Sequence, residues 1–202
     1  MSIVHKVKEV ETVFASLENE MNSLRQNTGL HCDAGCGKCC FKADIEATPL
    51  EFLPYALHLI EHNEIELVYE KVLANKSSIC LLFTPLTGSN SGGKCSQYKY
   101  RGLICRLFGY SAVRDKHGET KLVTCAVMKA GQKETIASLE ADIKKGVSVP
   151  MMSDYYFQLR SIDPDLGTKM MPINQAIREA LEIVMAYYAY REPPTSGAKL
   201  SA

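Results

Sequence analysis

The chain has 202 residues, 46% of them hydrophobic and 23% charged, and its 23 basic and 23 acidic side chains cancel to a formal charge of zero. That length suits one domain with at most a helical appendage, and the composition excludes wholesale disorder. Zero net charge excludes a protein held to nucleic acid or anionic lipid by its overall field. The opening MSIVHKVKEVETVF scatters charges through its apolar positions and so lacks the core of a signal peptide. The longest nearly apolar stretch, Ala180 to Tyr190, is too short for a bilayer and contains Glu182. These features predict a soluble, cytoplasmic protein with no membrane or nucleic-acid partner. In a reducing compartment its eight cysteines read as metal ligands or redox groups rather than disulfides.

In chain order, the first predicted element is a helix over Ile3 to Gln26. Ile3, Val7, Val10, Phe14, Leu17, Met21 and Leu24 alternate spacings of four and three, an apolar seam that Asn27-Thr28-Gly29 then stops. The seam is open to two readings: an N-terminal helix (1–28) packed on its own domain, or an arm pairing with a second copy in a homodimer. The body of the domain is expected over 29–191. It begins with HCDAGCGKCCF (His31 to Phe41), where Gly35 and Gly37 predict a compact loop. A second helix should start at Thr48, with Pro49 in its first turn and Glu51 as the reciprocal capping partner. Leu53, Leu57, Ile60 and Val68 carry it to about Asn75, with Pro54 near the first turn.

The next stretch holds Cys80, Cys95, Cys105 and Cys125. TPLTGSNSGG between the first two reads as a flexible loop. RLFGYSAVRD and ETKLVTCAV, around Lys116-His117-Gly118, read as a hairpin that brings Cys125 toward Leu107–Phe108 and so toward Cys105. Helices are predicted over Glu134 to Lys145, Met151 to Ser161 and Pro172 to Arg191, with a disordered tail over 192–202. The fold class is thus α+β, mainly α-helical, with helices around a cysteine-rich loop core and a small β-hairpin.

Cys32-x3-Cys36-x2-Cys39-Cys40 puts four thiols within nine residues. A C-x2-C turn lets two sulfurs approach one ion at about 2.3 Å each, and the glycines let backbone N–H groups face the sulfurs. Cys39 and Cys40 are adjacent, which suits a disulfide framework poorly. Two neighbouring ligands seldom close a four-ligand shell alone, so the downstream thiols are expected to complete it. Lys38, Lys42, Lys94, Lys99, Arg101 and Arg106 lie close in sequence to cysteines, where positive charge would lower thiol pKa values; an ordinary solvated surface is the competing view.

This cysteine run resembles that of the YkgJ-type cysteine-cluster proteins, described as a zinc- or iron-chelating domain. The likeness continues in Ile45-Glu46-Ala47-Thr48-Pro49-Leu50-Glu51, in Cys80-Leu81-Leu82-Phe83, and in Cys95-x2-Tyr98-x2-Arg101-x3-Cys105-Arg106, with Gly102 where the family usually has proline. The resemblance covers about 30 to 110. It implies Cys32, Cys36, Cys39, Cys40, Cys80, Cys95 and Cys105 as metal ligands; the hairpin adds Cys125.

C-x3-C-x2-C also resembles the radical S-adenosylmethionine motif, but Lys38 stands where an aromatic residue is usual, and strands for a partial barrel are lacking. His58 and His62 are spaced to share a metal on a helix, yet they project with Glu51 away from Leu53, Leu57 and Ile60, which reads as solvated surface. His31, beside Cys32, is the better substitute ligand, while His5 and His117 read as surface. Tyr187, Tyr188 and Tyr190 read as packing rather than a nucleic-acid platform. Eight thiols exceed what one structural zinc requires, which favours an iron–sulfur cluster, [4Fe–4S], serving redox or protein-modification chemistry with a protein or redox partner. The alternative is a zinc-binding scaffold.

Overall fold

The computed structural model describes residues 1–86 and 92–194; part of the TPLTGSNSGG loop and the tail from 195 onward lie outside the described residues. Helix α1 (Ile3–Thr28) starts where the Ser2 side chain accepts from the His5 N–H, and ends at Gly29, whose φ of 71° turns the chain left-handed. All seven seam residues are buried, Val10, Leu17 and Met21 completely. They pack on helices α2 (Pro49–Glu61) and α7 (Met152–Ile162) of the same chain. The seam is therefore satisfied within the protein, and each fully buried leucine stabilises it by about 1.5–3 kcal/mol.

Helix α2 is the spine. Thr48 and Glu51 form the expected capping box, and ten of its thirteen residues are buried, which marks a helix enclosed on all sides. Pro54 falls inside it, beyond the first turn where it was expected. The predicted continuous helix to Asn75 is broken. Asn63 adopts a φ of 57°, and the Glu64 N–H bonds back to the Leu59 carbonyl at 2.8 Å, closing the six-residue loop that ends helices. Helix α3 (Ile65–Ala74) then follows as a separate element. Apolar spacing runs through the break and conceals it, because Asn enters the left-handed region at little cost.

Strand β1 (Glu46–Ala47) precedes α2 and pairs antiparallel with β6 (Met171–Pro172), which leads into α9 (Ile173–Tyr188). β2 (Phe83–Pro85) pairs with β3 (Gly93–Cys95). A 3-10 turn (Tyr98–Tyr100) follows, then α4 (Leu103–Leu107). The predicted hairpin exists as β4 (Ser111–Arg114) and β5 (Thr120–Val123), closed where Asp115 accepts from the His117 and Glu119 N–H groups. Its first strand is shorter than RLFGYSAVRD suggested, because Arg106 and Leu107 belong to α4.

Past the hairpin, Cys125 caps a short helix, α5 (Ala126–Gly131), and α6 (Lys133–Lys144) follows. Asp163 interrupts the chain as expected, but it also caps α8 (Pro164–Thr168), accepting from the Asp165 and Leu166 N–H groups. The architecture is mainly helical, with three two-stranded antiparallel sheets among the described residues. No helix among them is long and apolar enough to cross a membrane.

Candidate metal centre

Two loop systems meet at the N-terminal end of α2. The first is the segment 31–41, which joins α1 to β1. Gly35 and Gly37 hold φ values of 75° and 59°, and turns close from the Cys36 N–H to the Asp33 carbonyl and from the Phe41 N–H to the Gly37 carbonyl. The second runs from Cys80 through β2 and β3 to α4. The two join main chain to main chain: the Gly93 N–H donates to the Gly35 carbonyl at 2.9 Å, and a Cβ on Gly37 would stand 2.7 Å from the Gly93 oxygen. Only glycine fits there.

Cys32, Cys36, Cys39, Cys40, Cys80, Cys95 and Cys105 line one cavity of about 620 Å³ between these systems. Thiols up to 73 positions apart in the chain thus face a common space. Cys125, which the hairpin suggested as a neighbour of Cys105, does not line the cavity that Cys105 lines. The Gly109 N–H bonds to the Val123 carbonyl, so Cys125 lies beyond the paired strands. There it lines a separate pocket of about 110 Å³ with Cys32 and Cys36. Cys39, Cys40 and Cys105 also face a third cavity of about 460 Å³, with Tyr156 and Arg160 on its wall.

The downstream thiols are held by non-local bonds. Asn174, at the start of α9, accepts the Leu81 N–H at 2.8 Å and donates to the carbonyls of Ile79 (2.8 Å) and Ser77 (3.1 Å), so it clamps the segment around Cys80. The Ser96 N–H donates to the Leu82 carbonyl at 2.7 Å beside Cys95. Glu51 places α4: one carboxylate oxygen accepts from the Thr48 N–H (2.8 Å) and hydroxyl (3.0 Å), the other from the Leu103 N–H (2.6 Å). Glu51 is only 1% exposed, which corrects its placement on a solvated face. Burial outweighs its hydrogen bonds and pushes its carboxyl up to about 7.

Gly102 has a φ of −62°, the value a proline would impose, so the turn keeps the shape expected from the family pattern. A Cβ at Gly102 would lie 2.9 Å from Glu51 Oε2, so glycine here leaves the carboxylate its room.

The sulfurs sit among N–H donors. Met128 N–H donates to Cys125 Sγ at 3.3 Å, while the backbone N–H groups of Leu82 and Phe83 reach Cys80 and that of Gln97 reaches Cys95. Burial still pushes Cys80 up to about 11 and raises Cys95 and Cys105 as well, with neighbouring sulfurs adding to the rise at Cys80 and Cys105. Cys39 is the exception. The adjacent Cys40 thiol, with sulfurs 3.9 Å apart, donates to it and holds it below the usual thiol range; the shared proton and burial push Cys40 up. Burial thus opposes charging Cys80, Cys95 and Cys105 together while no cation lies between them. A metal ion reverses that balance, because a coordinating thiol is deprotonated outright. The donor set therefore fits zinc or an iron–sulfur cluster.

The basic residues divide. Lys38, Lys42, Lys94 and Lys99 are exposed, whereas Arg101 and Arg106 are buried. Both arginines reach Glu18 on α1, at 3.1 and 3.6 Å, and Arg106 also donates to the carbonyls of Arg101 and Lys99. They press the Cys95 pKa downward, yet burial prevails. Their contacts are those of a brace between α1 and α4. His31 stands at the rim, where Gln132 binds its backbone from both sides, donating to its carbonyl at 2.6 Å and accepting its N–H at 3.0 Å. Sequence reasoning missed Asn174 and Gln132, and no local pattern marks either; the capping box found Glu51 but not its second task.

Comparison with curated proteins and with solved structures gives no match. Residues 31–126, a little under half of the chain, contain all eight cysteines and match the model of the CxxCxxCC family, described as a putative zinc- or iron-chelating domain. Over that stretch the chain is similar to the family that its cysteine pattern resembles.

Proposed function

We propose that this domain holds an iron–sulfur cluster on the cavity thiols and uses it for redox or protein-modification chemistry. The cavity carries the proposal: about 620 Å³ lined by seven thiols. Among the described residues no three sulfurs lie within 4.8 Å of one another. Four sulfurs on one tetrahedral zinc stand about 3.8 Å apart, given bonds of about 2.3 Å. A cluster interposes its own iron and sulfide between the cysteines, so it suits thiols that ring a larger space. Cys39, Cys40, Cys95 and Cys105 are the proposed principal ligands, with Cys80, Cys36 and Cys32 around them and Cys125 most remote. When bound, the cluster supplies one-electron chemistry. The chain's part is to present the thiolates, soften their charge with N–H donors and leave space beside Cys39, Cys40 and Cys105 where a substrate or redox partner would meet the centre. A closed structural zinc site needs no such space.

A zinc scaffold is the second reading, and one observation favours it: the 3.9 Å between the Cys39 and Cys40 sulfurs suits two ligands of one zinc ion. Metal analysis of protein purified without oxygen separates the two. Brown protein containing iron and acid-labile sulfide supports the cluster. Colourless protein with stoichiometric zinc overturns it in favour of the scaffold.

A further inference from the structure

The far end of α2 carries a second group of ligands, about 10 Å of helix beyond Glu51. His58, Glu61 and His62 each offer one ligand atom, and these atoms all lie within 4.8 Å of one another. His58 is half-buried and stacks on Tyr100, ring centroids 4.8 Å apart and planes at 22°, while its ring lies 4.1 Å from that of His62. His62 Nδ1 is 2.8 Å from the His58 carbonyl oxygen. A carbonyl only accepts, so in this bond Nδ1 bears the proton and the Nε2 lone pair of the neutral ring is left for a ligand. This is the arrangement by which a backbone carbonyl sets the tautomer of metal-binding histidines.

We propose that His58, Glu61 and His62 form a second metal site, of nitrogen and oxygen donors, for a borderline divalent cation such as Zn²⁺. Two imidazoles four residues apart on one helical face are the pair that grips zinc in His-Glu-x-x-His helices. Here the carboxylate between them supplies the third donor and the balancing charge. Tyr100 fixes the His58 ring from outside the helix, which lowers the entropy lost on binding. Glu11 on α1 adds a carboxylate near Glu61, and Lys99, its ammonium 5.1 Å from the Tyr100 centroid, is the opposing charge. Imidazole and carboxylate differ in softness from thiolates, so a metal held here is spectroscopically distinct from one held by the cysteines. It does not depend on which metal the thiols hold.

The test uses the full chain with its thiol-bound metal in place, washed with a mild chelator and titrated with ZnCl₂ by calorimetry. Wild-type protein should take up one further equivalent. H58A and H62A should each bind it at least about tenfold more weakly, since loss of even an outer-shell partner costs that much. Thiol-bound metal should be unchanged in both. Added Co²⁺ should give weak d–d bands without thiolate-to-metal charge transfer, and the imidazole proton resonances of wild-type protein should shift on zinc addition, a readout that needs no variant. The site is overturned if wild-type protein takes no further equivalent, if H58A and H62A bind it as tightly as wild type, or if the added Co²⁺ shows thiolate charge transfer.

Discussion

The two cysteine-bearing loop systems are built differently. Segment 80–105 is pinned into the core by groups from elsewhere in the chain: Asn174 around Cys80, Glu51 beneath Cys105, and the arginine brace to Glu18. Segment 31–41 is held by its own turns, by the Gly35–Gly93 bond and by Gln132 at its rim; Cys32 is exposed, and the other thiols there are half-buried. One wall of the cavity is set by folding, and the other leans on it. A metal centre would join the firm wall to the loose one, so binding energy becomes ordering energy for 31–41.

The largest expected effect breaks this contrast from both sides. C39S and C105S should each lose bound metal, measured by metal content after gel filtration, because each removes a thiolate from one wall; full occupancy in both would refute a shared centre. C39S should leave the unfolding of metal-free protein nearly unchanged, while C105S should lower its stability. Next in size, G37A should separate the walls, since its methyl meets the Gly93 backbone at 2.7 Å and its φ of 59° disfavours any side chain. A loss of about 2–3 kcal/mol is expected in denaturant unfolding, with weaker metal retention.

Glu51 tests the firm wall alone. Its folded-state pKa, about 7, lies above the ordinary carboxyl value of 4.5, so the folded protein keeps a proton that the unfolded chain releases. Its contribution is thus fully present below pH 4.5 and is lost as pH rises through about 7, by up to about 3 kcal/mol. E51Q should flatten that slope in metal-free protein. It also turns one acceptor into a donor facing an N–H, at a cost of about 1–3 kcal/mol. A wild-type stability that rises between pH 5 and 7 relative to E51Q would contradict this account. N174A should cost about 1–2 kcal/mol by orphaning the Leu81 N–H. Q132A, at the exposed rim, should cost about 0.5 kcal/mol or less and speed hydrogen exchange at His31, without changing metal content.

Much of the fold was legible because it is local. The seven-residue seam of α1 reports its buried face directly, and Thr48 with Glu51 announces the start of α2. The cysteine pattern marked which segments converge. What escaped was non-local or masked. Glu51 accepts from Leu103, 52 positions away, and that bond starts α4 where strand-like residues suggested a longer hairpin. Asn63 breaks a helix across which apolar spacing continues. Cys125 lines a different pocket from Cys105 because the hairpin's register settles its place, and the turn alone does not reveal how far the strands stay paired.

The contact between Gly37 and Gly93 carries a lesson for anyone who would re-engineer this protein. The thiols can be varied one side chain at a time, but the seam between the walls is bare peptide with no side chain to trim or enlarge. Attempts to retune the pocket for another ion should therefore spare those two positions and work on the sulfurs around them.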